Sequence, residues 1–198
     1  TNTSGQVDLE AVEKLLQRDK PALVSVMLVN NETGVIQNVS SIADMARAQG
    51  AIIHTDAVQG FGKIPVDFSV LKVHAMTLSA HKIYGPKGAA ALIIDKRLML
   101  RPLIYGGGHE NGLRSGTENV AAIVGLGAAC ELAQSRLDET TKHILPLQEH
   151  LEKGLLAMGA VIFGAEVPRV TNTCYFALPD IEGDTLVVKL DKAGFAVA

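Results

Sequence analysis

Lys82 sits in Leu78-Ser79-Ala80-His81-Lys82-Ile83-Tyr84-Gly85-Pro86-Lys87-Gly88, directly after a short apolar run and directly before a turn. Upstream, Ile52-Ile53-His54-Thr55-Asp56-Ala57-Val58-Gln59 is a second apolar run that ends in an acid. A lysine at one strand end, with an aspartate at a neighbouring strand end, is the minimum equipment for holding pyridoxal phosphate. The amine forms an imine with the aldehyde, and the carboxylate pairs with the pyridinium nitrogen. Ser79 and His81 flank the lysine with donors suited to a phosphate. The Tyr84-Gly85-Pro86-Lys87-Gly88 turn fixes its direction. Lys87 is the rival amine, but inside a Pro-Lys-Gly turn it is expected to face solvent. Gln59, three residues after Asp56, could reach the same ligand from one side of the turn.

Each of these residues also has a plainer reading. Lysines at strand ends are common and usually solvated, and Asp56 could do no more than cap a following helix. His54 is either a satisfied core histidine or a metal ligand with Asp56, and no further His, Cys or acid falls at ligand spacing to support the metal. Gly106-Gly107-Gly108-His109-Glu110 looks like an anion-cradling loop but lacks the strand–loop–helix context of a dinucleotide fingerprint. Arg114-Ser115-Gly116-Thr117 precedes a helix expected from Glu118. Hydroxyls and free amides at a helix start form a phosphate site, though capping explains Thr117 as well. Cys130, in an apolar helix, and Cys174, in an apolar strand, read as buried, inert thiols. The charges from Asp138 to Lys153 read as an ordinary solvated helix face.

The elements that must position these residues follow from periodicity. Asp8 with Leu9, Val12, Leu15 and Leu16 reads as a capped amphipathic helix. Ala22 to Val29 is a continuous, branched apolar run that suits a strand buried on both faces. Ser41 to Gln49 is helical, closed by Gly50. Strands are expected at Ala51–Thr55, His74–Ser79 and Ala89–Ile94. Strands spaced by helices predict α/β architecture with a largely parallel sheet, whose ligand lies beyond the carboxyl ends of the strands. Asn30-Asn31, Asp56 and Ser79 to Lys82 all fall at such ends. Glu118 to about Gly159 reads as helical with a bend near Pro146. Val161–Phe163, Arg169–Leu178 and Asp184–Ala193 then read as strand, strand and helix. A domain boundary is placed near Arg136, giving a large domain over 1–136 and a linking helix with part of a smaller α+β domain over 137–198.

Bulk properties narrow the class. The 198 residues are 47% apolar with a net charge of −3. That is enough to bury a sizeable core, and it lacks the basic footprint of a nucleic-acid binder. Two cysteines make neither a disulfide framework nor a zinc cluster, which fits a reducing, cytoplasmic setting. No stretch is long enough to span a bilayer, and no signal segment stands at the start. The chain begins at Thr1 and stops at Ala198 without a polar tail, so both ends look cut.

Taken together, Val29-Asn30-Asn31-Glu32-Thr33-Gly34, His54 to Gln59, Ser79 to Gly88, Gly106 to Glu110 and Arg114 to Thr117 stand in the order and spacing of a known group. The set resembles the cysteine desulfurases of the NifS/IscS type, in the class V aminotransferase superfamily. The Arg-Ser-Gly-Thr form is similar to the iron–sulfur cluster suppliers among them. The resemblance implies a fold-type-I transferase, a mostly parallel sheet sandwiched by helices, binding pyridoxal 5'-phosphate. It implies that Lys82 carries the cofactor and moves protons, Asp56 holds the ring nitrogen protonated, and Gln59 bonds the ring hydroxyl. Asn31 would contact cofactor and substrate, Ser79 and His81 the phosphate. Thr117 would reach the phosphate of a neighbouring subunit, hence a homodimer. The implied reaction converts L-cysteine to L-alanine and passes sulfur as persulfide to a scaffold protein, with no resident metal.

Two departures stand beside it. The group's N-terminal glycine-alanine-threonine loop and ring-stacking histidine have no counterpart here, nor does its mobile loop with a catalytic cysteine. Neither Cys130 nor Cys174 matches that cysteine. The chain reads as a central fragment, expected not to desulfurate cysteine alone. The other readings are another class V enzyme, such as a selenocysteine lyase or small aminotransferase, and a non-catalytic fragment or dimerisation module.

Overall fold

Asp8 caps the first helix as its position in the sequence requires, its carboxylate accepting from the Glu10 and Ala11 amides. In the computed structural model, which describes residues 1–198, α1 spans Leu9–Asp19 and leads into strand β1, Leu23–Met27. Helix α2, Val39–Ala48, is capped by Asn38, whose side chain accepts from the Ser41 amide. Gly50 follows it at φ +74, the left-handed conformation that glycine adopts without steric cost. Strand β2, Ile52–Asp56, the short helix α3, Phe68–Leu71, strand β3, Ala75–Ser79, and strand β4, Ala90–Ile94, complete the sheet.

The sheet order is β1-β2-β3-β4. The first three strands are parallel, and β4 runs antiparallel to β3 at the edge. The alternation of burial shows how the faces are used. Ile53 and Thr55 are fully buried, and Leu28, Val29, Val39, Ile42, Ala46, Val73 and Met76 join Ile53 in one core cluster. Thr55 spends its hydroxyl on the Val26 carbonyl, 2.9 Å away, so its burial strands no donor. Leu23, Ile52 and Leu92 lie on the other face and stay exposed. Ala22–Val29 was expected to be buried on both sides; this uncovered face is where β1 departs from that.

The second half is helical, with a break at a different place from the one expected. Helix α4, Val120–Ser135, and helix α5, Leu137–Ala157, meet at Arg136 and are bent there by 67°. Pro146 lies inside α5 without ending it. The sharp change comes where Arg136 leaves helical geometry (φ −103, ψ 5) and serves both helices as a cap. No single helix is long and apolar enough to cross a membrane. Strand β5, Val161–Ile162, pairs antiparallel with β6, Phe176–Ala177, and helix α6 spans Gly183–Lys192. The strand expected over Arg169–Leu178 is therefore reduced to its last part. Arg169 instead bridges to Val35, and Val170, 2% exposed, enters the main core. Glu152 is not part of a solvated face as expected. It receives Arg169 through both guanidinium NH groups at 2.8 and 3.0 Å, the two side chains only 17% and 10% exposed.

Candidate functional site

Strand register places the acidic and hydroxyl residues on one face. Met27 pairs with Asp56, and Asp56 pairs with Thr77, two residues before Ser79. Because side chains alternate with a period of two, Ser25, His54, Asp56, Thr77 and Ser79 share the face opposite the main core. Asp56 Oδ1 accepts from the Val58 amide at 2.9 Å, and no other protein donor reaches the carboxylate. It does not cap a helix. Overlapping turns follow it instead, with the Gly60 and Phe61 amides donating to the Ala57 carbonyl. The carboxylate is half-buried and retains accepting capacity for a ligand.

His54 stands beside it, its Nδ1 2.8 Å from Ser25 Oγ. Burial lowers its pKa, while the Asp56 carboxylate pulls the other way. No group of three metal-ligating side chains forms around it or elsewhere, and it stands half-buried on the face opposite the main core rather than within the core.

Lys82 lies in a turn of 3-10 helix, Ala80–Ile83, that follows β3 directly. Ala80 and Ile83 point inward, 0% and 7% exposed, whereas His81 and Lys82 point out. Tyr84 closes the turn in a left-handed conformation (φ 64), its amide donating to the Ala80 carbonyl. The turn is clamped against α4 by small residues. Ala80, Ala89 and Ala122 form a second core cluster. A Cβ on Gly125 would come within 2.8 Å of the Pro86 ring, so only glycine lets helix and turn approach so closely. Lys82 is thus an exposed side chain on a fixed base, and its amine takes no hydrogen bond or ion pair within the chain. Lys87 is exposed on the far side of Pro86, as expected. Ser79 Oγ and His81 Nδ1 are 2.7 Å apart, next to the lysine.

One contact beside the candidate residues carries no sequence signal of its own. Lys63 Nζ donates to Gln59 Oε1 at 2.6 Å. Burial depresses the Lys63 pKa, and the positive charge of Lys82 lowers it further. The spacing of four residues from Gln59 is a helical signal, and the segment is not a helix.

The remaining candidates divide. Asn31 is exposed after β1, on a loop shaped by its neighbour. Asn30 Oδ1 accepts from the Glu32 and Thr33 amides at 3.0 and 2.8 Å, leaving Asn31 free. Thr117 is exposed and does not cap α4, a task that Asn119 performs through the Ala122 amide. No hydrogen bond joins Thr117 to Asp56, Ser79 or Lys82. Its loop is held instead by buried Ser115, whose Oγ accepts from the Gly108 amide at 3.2 Å, and by His109 Nδ1, 2.9 Å from the Gly116 carbonyl. Cys130 and Cys174 are half-buried rather than buried, and Cys174 precedes β6 instead of lying in a strand. Burial raises both thiol pKa values, and Glu152 adds to the rise at Cys174.

The donor set fits pyridoxal phosphate. A free amine, a carboxylate with unused lone pairs, a side-chain amide and a hydroxyl–imidazole pair converge at the carboxyl ends of two adjacent strands. The profile of the family described as Aminotransferase class-V matches residues 1–198. The chain belongs to that family. It is similar to a cysteine desulfurase of Gluconacetobacter diazotrophicus, 41% identical over 98% of this chain and 49% of the relative. The same holds for a cysteine desulfurase of Klebsiella pneumoniae, 42% identical over 100% of this chain and 50% of the relative. Among solved structures, a NifS-like protein from Rickettsia africae superposes with a TM-score of 0.96 at 39% identity, covering 100% of this chain and 56% of that one. Such neighbours fix the fold as that of the NifS-like enzymes, with the mostly parallel sheet flanked by helices. The chain spans about half the length of the curated relatives it matches.

Proposed function

We propose that this chain provides the cofactor-anchoring half of a cysteine desulfurase, with Lys82 as its covalent anchor. The observation that carries this is that Asp56 and Gln59, at and just beyond the end of β2, and Ser79, His81 and Lys82, at and just beyond the end of β3, stand at the carboxyl ends of two adjacent strands, with a Lys82 amine that nothing in the chain engages. Bound pyridoxal phosphate supplies an electron sink that weakens bonds at the substrate carbons. The chain's own part is positional and acid–base. Lys82 Nζ would be the covalent anchor for the aldehyde and would move protons on the substrate. Asp56, with its unused lone pairs, would keep the ring nitrogen protonated. Ser79 and His81 would bind the phosphate, Gln59 the ring oxygen, and Asn31, on the loop after β1, would contact cofactor and substrate.

In the reaction, the carbon–sulfur bond of L-cysteine breaks, the sulfur passes to a thiolate as a persulfide, and L-alanine leaves. Cys130 and Cys174 are poor receivers, because their surroundings raise the pKa of each and only a thiolate accepts sulfur. The exposed Thr117 loop supports a homodimer in which Thr117 reaches the phosphate of the second copy. A sulfur-accepting scaffold protein for iron–sulfur assembly, a cytoplasmic setting and a division into domains near Arg136 belong to the same reading.

The test is covalent capture. The chain is mixed with pyridoxal phosphate, reduced with borohydride, and mapped by peptide mass. The adduct is expected on Lys82, persisting in Lys87→Ala and absent in Lys82→Ala. An adduct on Lys87, or none at all, sinks the proposal.

A further inference from the structure

The Gln59 side chain has an accepting end and a donating end, and a ligand oxygen could in principle meet either. Lys63 removes that choice. An ammonium has three donors and no acceptor, so the 2.6 Å contact from Lys63 Nζ must go to the Gln59 carbonyl oxygen. With Oε1 held, Nε2 and its two N–H bonds are turned to the opposite side of the amide. No protein acceptor meets them there, although Gln59 is half-buried. The amide donors reach solvent and are free to meet a ligand acceptor.

The backbone between the two residues is fixed as well. The Lys63 and Ile64 amides both donate to the Gly60 carbonyl at 3.0 Å, which locks the turn that brings Lys63 back over Gln59. Lys63 is itself half-buried, so its ammonium is poorly screened and polarises the amide, strengthening the N–H groups as donors.

We propose that Lys63 is a positioning residue: by holding the Gln59 carbonyl it makes the Gln59 amide a one-way donor to an anionic oxygen on the ligand that Lys82 carries. The identity of that ligand rests on the proposed function, in which the oxygen is the ring phenolate of pyridoxal phosphate. The coupling of Lys63 to Gln59 does not.

Two measurements separate these levels. In the ligand-free chain, the side-chain amide NMR signals of Gln59 are compared among wild type, Lys63→Met and Lys63→Arg. An ordered amide is expected in wild type and Lys63→Arg, and signals like those of freely exposed glutamines in Lys63→Met. Unchanged signals in Lys63→Met overturn the assignment whatever the chain binds. With pyridoxal phosphate added, Lys63→Met is expected to bind roughly tenfold more weakly, the scale of a hydrogen bond to a charged group, and Lys63→Arg to stay near wild type. Gln59→Glu keeps a partner for Lys63 but cannot donate at neutral pH, so it is expected to lose at least as much. An analogue lacking the ring hydroxyl is expected to bind wild type and Lys63→Met alike, a result that a general loss of stability would not produce. Full-strength binding of pyridoxal phosphate by Gln59→Glu overturns the donor direction. A wild-type chain that takes up no pyridoxal phosphate defeats the proposed function, and the NMR comparison still decides the role of Lys63.

Discussion

The two halves of this chain are built on different terms. Residues 1–95 contain the four-stranded sheet, and all but six of the 28 buried residues lie there. Beyond them, α5 and α6 bury no residue completely, and Val120, Val124, Leu132, Leu147, Leu151 and Leu156 stand exposed. The sheet half owes its order to apolar side chains removed from water. The helical half is held by fewer, more specific contacts: the Gly125–Pro86 approach, the Arg169–Glu152 pair, and Gln148, which donates to the Val170 and Thr173 carbonyls. The candidate site lies at the edge of the first half and leans on the second through α4. A dense core fixes where Asp56 stands, while a handful of close contacts fix where Lys82 stands.

Substitutions can break or sharpen this contrast. Ile53→Ala, at a fully buried position of β2, is expected to cost about 4 kcal/mol through lost burial and an unfilled cavity, read by chemical denaturation. Arg169→Met is expected to cost about 3 kcal/mol, since it leaves the Glu152 carboxylate mostly buried and unpaired. A loss below about 1 kcal/mol would show that the ion pair is replaceable by water. Gly125→Val is expected to cost about 2 kcal/mol by overpacking against Pro86. It should also weaken capture of pyridoxal phosphate at Lys82, whereas Arg169→Met should not.

Acidification should act more gently, and on the sheet half. Burial comes first among the causes that lower the His74 pKa, and its Nδ1 accepts from the Ile53 amide at 3.0 Å, which only a neutral ring can do. The unfolded chain therefore takes up the proton more readily than the folded one. Stability is expected to be complete above the unfolded value of about 6.5 and to fall as pH drops through it. A Tm that rises between pH 7 and pH 5.5 would contradict this. The smallest effect should come from Leu132→Ala, half-exposed on α4, within about 0.5 kcal/mol. A larger loss would mean that the helical half is covered in solution.

The positions of most candidate residues are legible because they fall at strand ends, and strand ends follow from local apolar runs. Asp56 closes β2 and Ser79 closes β3, each within a residue of the expected boundary. What escaped depended on contacts between distant residues or on non-repeating backbone. Proline is the visible breaker and points to a bend at Pro146, yet the bend falls at Arg136, whose residue type carries no such signal. The local sequence presents Glu152 as part of a solvated face, because its partner is seventeen residues away. Nothing local marks Lys63, because a turn, not a helix, returns it to Gln59.

The sequence alone determined the α/β class, the strand carboxyl ends, and the kinds of group gathered at them, since alternation, capping and residue chemistry are local properties. Only the tertiary structure decided which face of the sheet carries Asp56 and Ser79, and that Lys82 projects from a turn clamped on α4. It also decided that Lys63 aims the amide of Gln59. Register and close approach arise between segments far apart in the chain, and no window of neighbouring residues contains them.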